Sequence, residues 1–375
     1  MRTFFAVCLT LLLLPLATFA ESPVQPTLAA KAWLLIESSS GQELASQASD
    51  ERLDPASLTK IMTAYLTYSA LKQGTIKLDQ TVLVSEKAWK TQGSRMFIKV
   101  NTHVSVEDLI KGMIVQSGND ACVALAEAIA GSEENFAQLM NREAKRLGMN
   151  ASNFRNAAGL PDPEHYTTAR DIAKLAGALI RDFPEAYAKY HSIKEFRYNN
   201  ITQPSRNRLL WLDPSVDGVK TGHTEAAGYC LVSSAKRDSR RLLSVVLGAT
   251  SSNARAQESL KLLNFGFQAY DAERLYAKQE AVATPKVWKG RASTVKAGFR
   301  ADFILSVPKG AGQRLTKELV MQPRLMAPIS EGQVIGTLKV SIDGKPHGEF
   351  TVLALEAVPL AGFFGRSIDT IRLWF

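Results

Sequence analysis

Strand-like runs stand at both ends of the first 270 residues, and the interval between them is dominated by helical periodicity. Within 31–38 the segment Ala32-Trp33-Leu34-Leu35-Ile36 is an unbroken apolar run of strand length, and 41–45 reads as its hairpin partner. Strand patterns return at 218–221, 228–235 and 242–249, and a helix over 253–270 closes the region. Helical spacing occupies 55–72, 106–115, 120–130, 133–147 and 168–180, the last opened by a Thr168/Asp171 capping box. A sheet built from both ends must bring segments far apart in sequence side by side. The region is therefore expected to form one mixed α/β (α+β) domain.

Beyond about Glu273 the signals shorten to strands at 282–288, 293–297, 303–307, 315–320, 333–342 and 349–355, punctuated by Gly, Pro and Asp turns. This reads as a small, separate all-β domain over 273–360, with no cluster of chemical residues.

Residues 1–20 have a basic Arg2, an apolar stretch from Phe4 to Leu16 and small residues at Ala17-Thr18-Phe19-Ala20. That is the pattern of a secretory signal peptide cleaved after Ala20, and it is too short to span a bilayer comfortably. The 355 residues that remain suffice for two cores, here 21–272 and 273–360. Of the three cysteines Cys8 would leave with the leader. Cys122 and Cys230 each lie in an apolar segment and are expected as buried free thiols; a pairing of the two stays open.

The net charge is +9, and +8 without Arg2. Residues 273–360 hold 13 Lys and Arg against 8 Asp and Glu, and 361–375 hold two against one, so six of the eight charges lie in the last 103 residues. Such asymmetry fits attraction to an anionic surface such as lipid headgroups, or simply a solvated basic face. No nucleic-acid-binding module accompanies it.

Three short motifs carry chemistry. Asp54-Pro55 marks a helix start, with Asp54 as cap, and places Ser57 at an N-terminus whose free N–H groups favour a nearby oxyanion. Lys60, one turn on, can reach the Ser57 hydroxyl as its base. Ser-x-x-Lys alone is weak, since it recurs at Ser69/Lys72, Ser233/Lys236 and Ser306/Lys309. Its company at Ser117-Gly118-Asn119 and Lys220-Thr221-Gly222 makes the set specific, because Lys-Thr-Gly occurs once. A Gly-x-Ser-x-Gly elbow, a His-Glu-x-x-His motif and phosphate-binding glycine loops are absent from the sequence, so no metal or cofactor is expected.

In wording and order, 55–63, 117–121 and 217–224 resemble the motifs of low-molecular-mass penicillin-binding proteins of the D-alanyl-D-alanine carboxypeptidase type, penicillin-binding protein 5/6-like. The likeness extends over essentially all of the chain after the leader. It implies a serine DD-peptidase and β-lactamase-like domain with a central antiparallel sheet and a helical cluster, then a small all-β domain and an amphipathic C-terminal helix. The implied activity removes the terminal D-alanine from peptidoglycan stem pentapeptides through an acyl-enzyme on Ser57, with covalent inhibition by β-lactam antibiotics.

The implied roles follow residue by residue. Lys60 is the proton acceptor, Lys220 the charge that lowers its pKa and helps hold substrate, and Ser117 and Asn119 complete the hydrogen-bond network. The backbone N–H groups of Ser57 and His223 form the oxyanion hole. Thr221, Gly222 and Arg255 meet the substrate, with the Arg255 fork suited to its terminal carboxylate. The Glu-x-x-Leu-Asn element of class A β-lactamases is missing, which argues against efficient lactam hydrolysis. A DD-endopeptidase, a weak β-lactamase and a non-catalytic wall-binding protein remain as alternatives.

At the C-terminus, Phe364, Ile368, Ile371 and Phe375 fall on one helical face, flanked by Phe363 and Trp374. Residues 363–375 are too few to span a bilayer and are expected to lie in its surface, placing the enzyme on the periplasmic side of the inner membrane. A free tail of this length is expected to be mostly disordered in water and to fold on lipid, unless it packs on the β domain. Oligomeric state is not legible.

Overall fold

The structure of the chain, a computed structural model, describes residues 23–373. The expected leader 1–20 with Cys8, the side chain of Ile371, and Trp374 and Phe375 lie outside the described residues.

Five strands form the central sheet in the order Glu43–Gln47, Ala32–Glu37, Arg240–Ala249, Gly228–Arg237, Val216–Thr224, every neighbouring pair antiparallel. The unbroken apolar run at 32–36 is explained by burial on both faces. Alternate residues serve two cores: Leu34, Val232, Leu243 and Val245 join the helical cluster, while Trp33, Leu35, Leu231 and Val246 pack with the helix Ser252–Ala269 on the other face. The strand bearing Lys220 is an edge strand of the sheet, and its buried Val219 packs into the core of the helical cluster.

Helix Lys60–Lys72 is the axis of that cluster. It packs against the helices Val106–Val115, Asn119–Ala130, Glu133–Arg146 and Ala169–Asp182 and is buried almost all round, with Ile61, Met62, Ala64, Tyr65 and Tyr68 inside. Burial of side chains such as Ile61 and Met62 contributes about 1.5–3 kcal/mol each. Its polar residues are satisfied internally: Thr63 Oγ1 donates to Ala157 O at 2.6 Å and Thr67 Oγ1 to Thr63 O at 2.7 Å. The helix Ala169–Asp182 realises half of its capping box. Thr168 Oγ1 accepts from Asp171 N at 3.1 Å, but the Asp171 carboxylate turns to Ala151 N and Ser152 Oγ, each at 2.9 Å.

Four local expectations are corrected. The pattern over 55–72 is two elements, a 3₁₀ turn Ala56–Thr59 and then the α-helix from Lys60. Pro55, not Asp54, occupies the position before the turn, because Ala56 adopts a left-handed backbone with φ of 46° that interrupts a smooth helical entry. In the β domain, the expected strand 282–288 is broken at Thr284-Pro285 into Ala281–Ala283 and Val287–Trp288, since proline cannot donate to a ladder. The one at 293–297 contracts to Ala297–Gly298.

The β domain's five-stranded sheet runs Ala281–Ala283, Ala297–Gly298, Lys345–Ala354, Val334–Ile342, Leu315–Met321 over its own core of Leu305, Ile335, Leu338, Val340 and Val352. It is less separate than expected. A strand Tyr270–Tyr276 grows directly out of helix Ser252–Ala269 and pairs with Phe303–Pro308, whose Ser306 is held by two residues of the first region, Gln42 and Arg240. Ser306 N donates to Gln42 Oε1 at 2.8 Å, Ser306 O accepts from Gln42 Nε2 at 2.8 Å, and Ser306 Oγ accepts from Arg240 Nη2 at 2.6 Å, while Tyr270 OH donates to Leu44 O at 2.9 Å. Cys122 and Cys230 are buried and unbonded to each other. Among the described residues no helix is long and apolar enough to cross a membrane.

Candidate active site

The turn carrying Ser57 is clamped by two glycines. Gly159, at φ of 81°, lies so close that a Cβ there would sit 1.8 Å from Ala56 O, and a Cβ on Gly222 would come within 3.1 Å of Pro55 O. A side chain at Gly159 is excluded, and one at Gly222 would push the turn back by a few tenths of an ångström. The segment 157–160 and the edge strand Val216–Thr224 thus press the left-handed turn from two sides and leave Ser57 half-buried at a cavity wall.

Lys60 is wholly buried, and its Nζ makes three short contacts: Ser57 Oγ at 2.8 Å, Asn119 Oδ1 at 2.8 Å and Ala158 O at 2.6 Å. Asn119 is oriented by its Nδ2, which donates to Gln92 O at 2.6 Å, so its oxygen must face the amine. Two of the three contacts are pure acceptors. A neutral Lys60 spends both N–H groups on them and aims its lone pair at the serine hydroxyl.

Burial is the main force pushing the Lys60 pKa down, to about 8, with Arg206 acting in the same direction. Lys220 lies in the same polar core, 3 % exposed, its amine donating to Thr221 O at 3.1 Å. It too is held well below the ordinary lysine range, by burial first and then by the charge of Lys60. The expectation that a Lys220 cation tunes Lys60 is accordingly revised: desolvation dominates, because both amines are shut away from water.

Ser117 precedes the helix Asn119–Ala130 with φ of 65°, buried, its Oγ without a hydrogen-bond partner. Just inside that helix, the buried Asp120 carboxylate accepts from Met96 N at 3.0 Å, Phe97 N at 2.9 Å and Ile98 N at 3.2 Å. These bonds pin the loop that forms the far wall, where Gly93 lies against the Asn119 amide.

The sequence-derived residues Ser57, Ser117, Asn119, Thr221, Gly222, His223 and Arg255 all line one cavity of about 630 Å³, and Lys60 and Lys220 stand behind it. Arg255 is no solvent-facing helix residue. It is 5 % exposed, donates from Nη1 to Gly222 O at 3.0 Å and from Nη2 to Ser252 Oγ at 3.3 Å, and burial pulls its pKa down to about 10. His223 is exposed at the rim with its ring 4.0 Å from that of Tyr229.

Sequence reasoning missed Arg206 and Arg208, which join Arg255 in the lining. It also missed the Ala158 carbonyl, and a backbone oxygen has no sequence signature. Among the described residues three arginines and no carboxylate line the cavity, so it suits an anionic ligand with a polar, peptide-like body.

Comparison with known proteins agrees with this geometry. Residues 19–251 match the family model described as D-alanyl-D-alanine carboxypeptidase, and residues 270–360 match the one described as penicillin-binding protein 5, C-terminal domain. The chain is 45% identical over 370 residues to D-alanyl-D-alanine carboxypeptidase DacC of Escherichia coli, covering 96% of this chain and 92% of that one. It is 40% identical over 361 residues to DacA of the same organism, covering 94% and 89%. Among solved structures, penicillin-binding protein 5 of Haemophilus influenzae superposes with a TM-score of 0.77 at 40% identity, over 90% of this chain and 99% of that one. Penicillin-binding protein 6B of Escherichia coli gives 0.72 at 34%, over 89% and 98%.

Proposed function

Since this chain belongs to the serine D-alanyl-D-alanine carboxypeptidases of the penicillin-binding protein 5 and 6 kind, we propose how its own residues divide the work of that reaction. The enzyme acts on the peptidoglycan stem pentapeptide, and its family is sensitive to β-lactams. Ser57 is the nucleophile and neutral Lys60 its base. The hydroxyl proton passes to Nζ as Oγ bonds to the carbonyl carbon of the penultimate D-alanine, and the carbonyl electrons move onto oxygen. The N–H groups of Ser57 and His223 take up that oxyanion. Collapse breaks the C–N bond, the proton held on Lys60 passes through the Ser117 hydroxyl to the departing amine, and free D-alanine leaves with Lys60 neutral again. Water, deprotonated by Lys60, then releases the shortened peptide and restores Ser57.

The observation that carries this reading is the Lys60 amine, 2.8 Å from Ser57 Oγ with both remaining contacts to pure acceptors. Arg255, with Thr221, receives the terminal carboxylate, and the lack of acidic residues among the described residues of the lining supports the choice. Product analysis on a pentapeptide ending in D-Ala-D-Ala tests it: one D-alanine released per peptide is expected. Cleavage only of crosslinked dimers would make the protein an endopeptidase instead.

The same proposal includes export and attachment to the periplasmic face of the inner membrane through residues 363–375. The leader-like 1–20 supports export. The helix Phe363–Arg372 supports attachment, because Phe363 and Phe364 are 72% and 82% exposed and Ile368 is exposed beside them.

A further inference from the structure

The C-terminal helix does not hang free. The chain leading into it is laddered on the β domain, with Arg291 N donating to Pro359 O and Ala361 N to Lys289 O, each at 2.9 Å. About two turns further along, the Asp369 carboxylate accepts from Lys289 N at 2.7 Å. Lys289 has a left-handed backbone, φ of 58°, at the turn that presents this N–H. At 100° per residue, Phe363, Phe364 and Ile368 lie roughly 100–140° around the helix from Asp369. The residue that faces the protein therefore turns the apolar side outward.

Beside this contact the β domain shows a matching face. Val287 and Leu325 are buried, but their neighbours Trp288 and Met326, paired in register, point the other way, and Met326 is exposed. Lys286 Nζ lies 3.5 Å from the Trp288 ring centre, and Arg291 is exposed two residues past Lys289.

We infer that segment 286–291 and the helix Phe363–Arg372 form one composite surface for an anionic lipid bilayer, with Asp369 as the positioning residue that presents the helix to it. Apolar side chains from both elements enter the interface, and Lys286, Lys289 and Arg291 meet headgroup phosphates. This rests on the proposed membrane attachment and goes beyond it, since it assigns binding to residues outside the tail.

The test is cosedimentation of the chain from residue 21 onward with phosphatidylglycerol-containing vesicles, with penicillin acylation as a check of folding. Lys286→Gln/Arg291→Gln is expected to bind more weakly by about fivefold per charge, roughly 25-fold for the pair. Asp369→Ala is also expected to bind several-fold more weakly, although a free tail would gain from losing a negative charge. Unchanged binding by the double variant, or equal or tighter binding by Asp369→Ala, overturns the composite surface and leaves the tail as a simple anchor. Failure of the unsubstituted chain to bind overturns attachment itself, and the composite surface with it.

Discussion

The Asn119 carboxamide oxygen stands 2.8 Å from Lys60 Nζ, and its nitrogen is tied to Gln92 O at 2.6 Å, so a residue on one helix fixes the direction of an amine on another. That direction sends the remaining lone pair toward Ser57. Asn119→Ala should keep the nucleophile and base but lose their alignment. Losing a buried hydrogen bond to a polar amine costs about 1–3 kcal/mol, which corresponds to roughly a 5–150-fold fall in acylation rate by penicillin. Stopped-flow acylation measures it, and a rate within twofold of the unsubstituted enzyme would remove Asn119 from the network.

What was legible in advance and what was not follows from this pair. Ser57, Lys60, Ser117, Asn119 and Lys220 belong to contiguous words, and side-chain chemistry alone makes such words conspicuous. The Gln92 and Ala158 carbonyls hold Asn119 and Lys60 but are backbone atoms, available at any residue and therefore silent in a sequence. Arg206 reaches the cavity from a loop between the hairpin Glu195–Pro204 and the edge strand, and no periodicity marks a loop residue. The long helices were readable because their apolar spacing persists over several turns. The strand Tyr270–Tyr276 was not, since it continues a helical pattern without a glycine or proline to separate them.

The pH profile tests the protonation state of the base. Lys60 is active when neutral, and burial lowers its pKa to about 8, so acylation should climb as pH rises from 6 and level off above about 8. Lys220 is held well below the ordinary lysine range by burial and then by the charge of Lys60, so the two buried amines share the titration and broaden the rise. Lys60→Arg should be nearly inactive at every pH, because a guanidinium does not shed its proton. A rate that falls between pH 6 and 8 would require a protonated group in place of the base.

Carboxylate recognition separates from chemistry at Arg255. Removing it should lower kcat/KM on a free-acid peptide by about 10–100-fold, as expected for a charge-assisted hydrogen bond of about 1.5–3 kcal/mol. Amidating the terminal carboxylate should shrink that loss to a few-fold, since the partner is already gone. Steady-state kinetics of Arg255→Ala on both peptides decides the matter. An equal loss on both would make its bond to Gly222 O, and thus support of the strand, its main role.

The central claim is that Ser57 forms the acyl-enzyme. The most direct measurement is mass spectrometry of peptides from the penicillin-treated enzyme. The account predicts a single penicilloyl adduct on the peptide containing Ser57, absent from folded Ser57→Ala, which should also release no D-alanine from pentapeptide. An adduct on any other residue, or persistent labelling of folded Ser57→Ala, would contradict it.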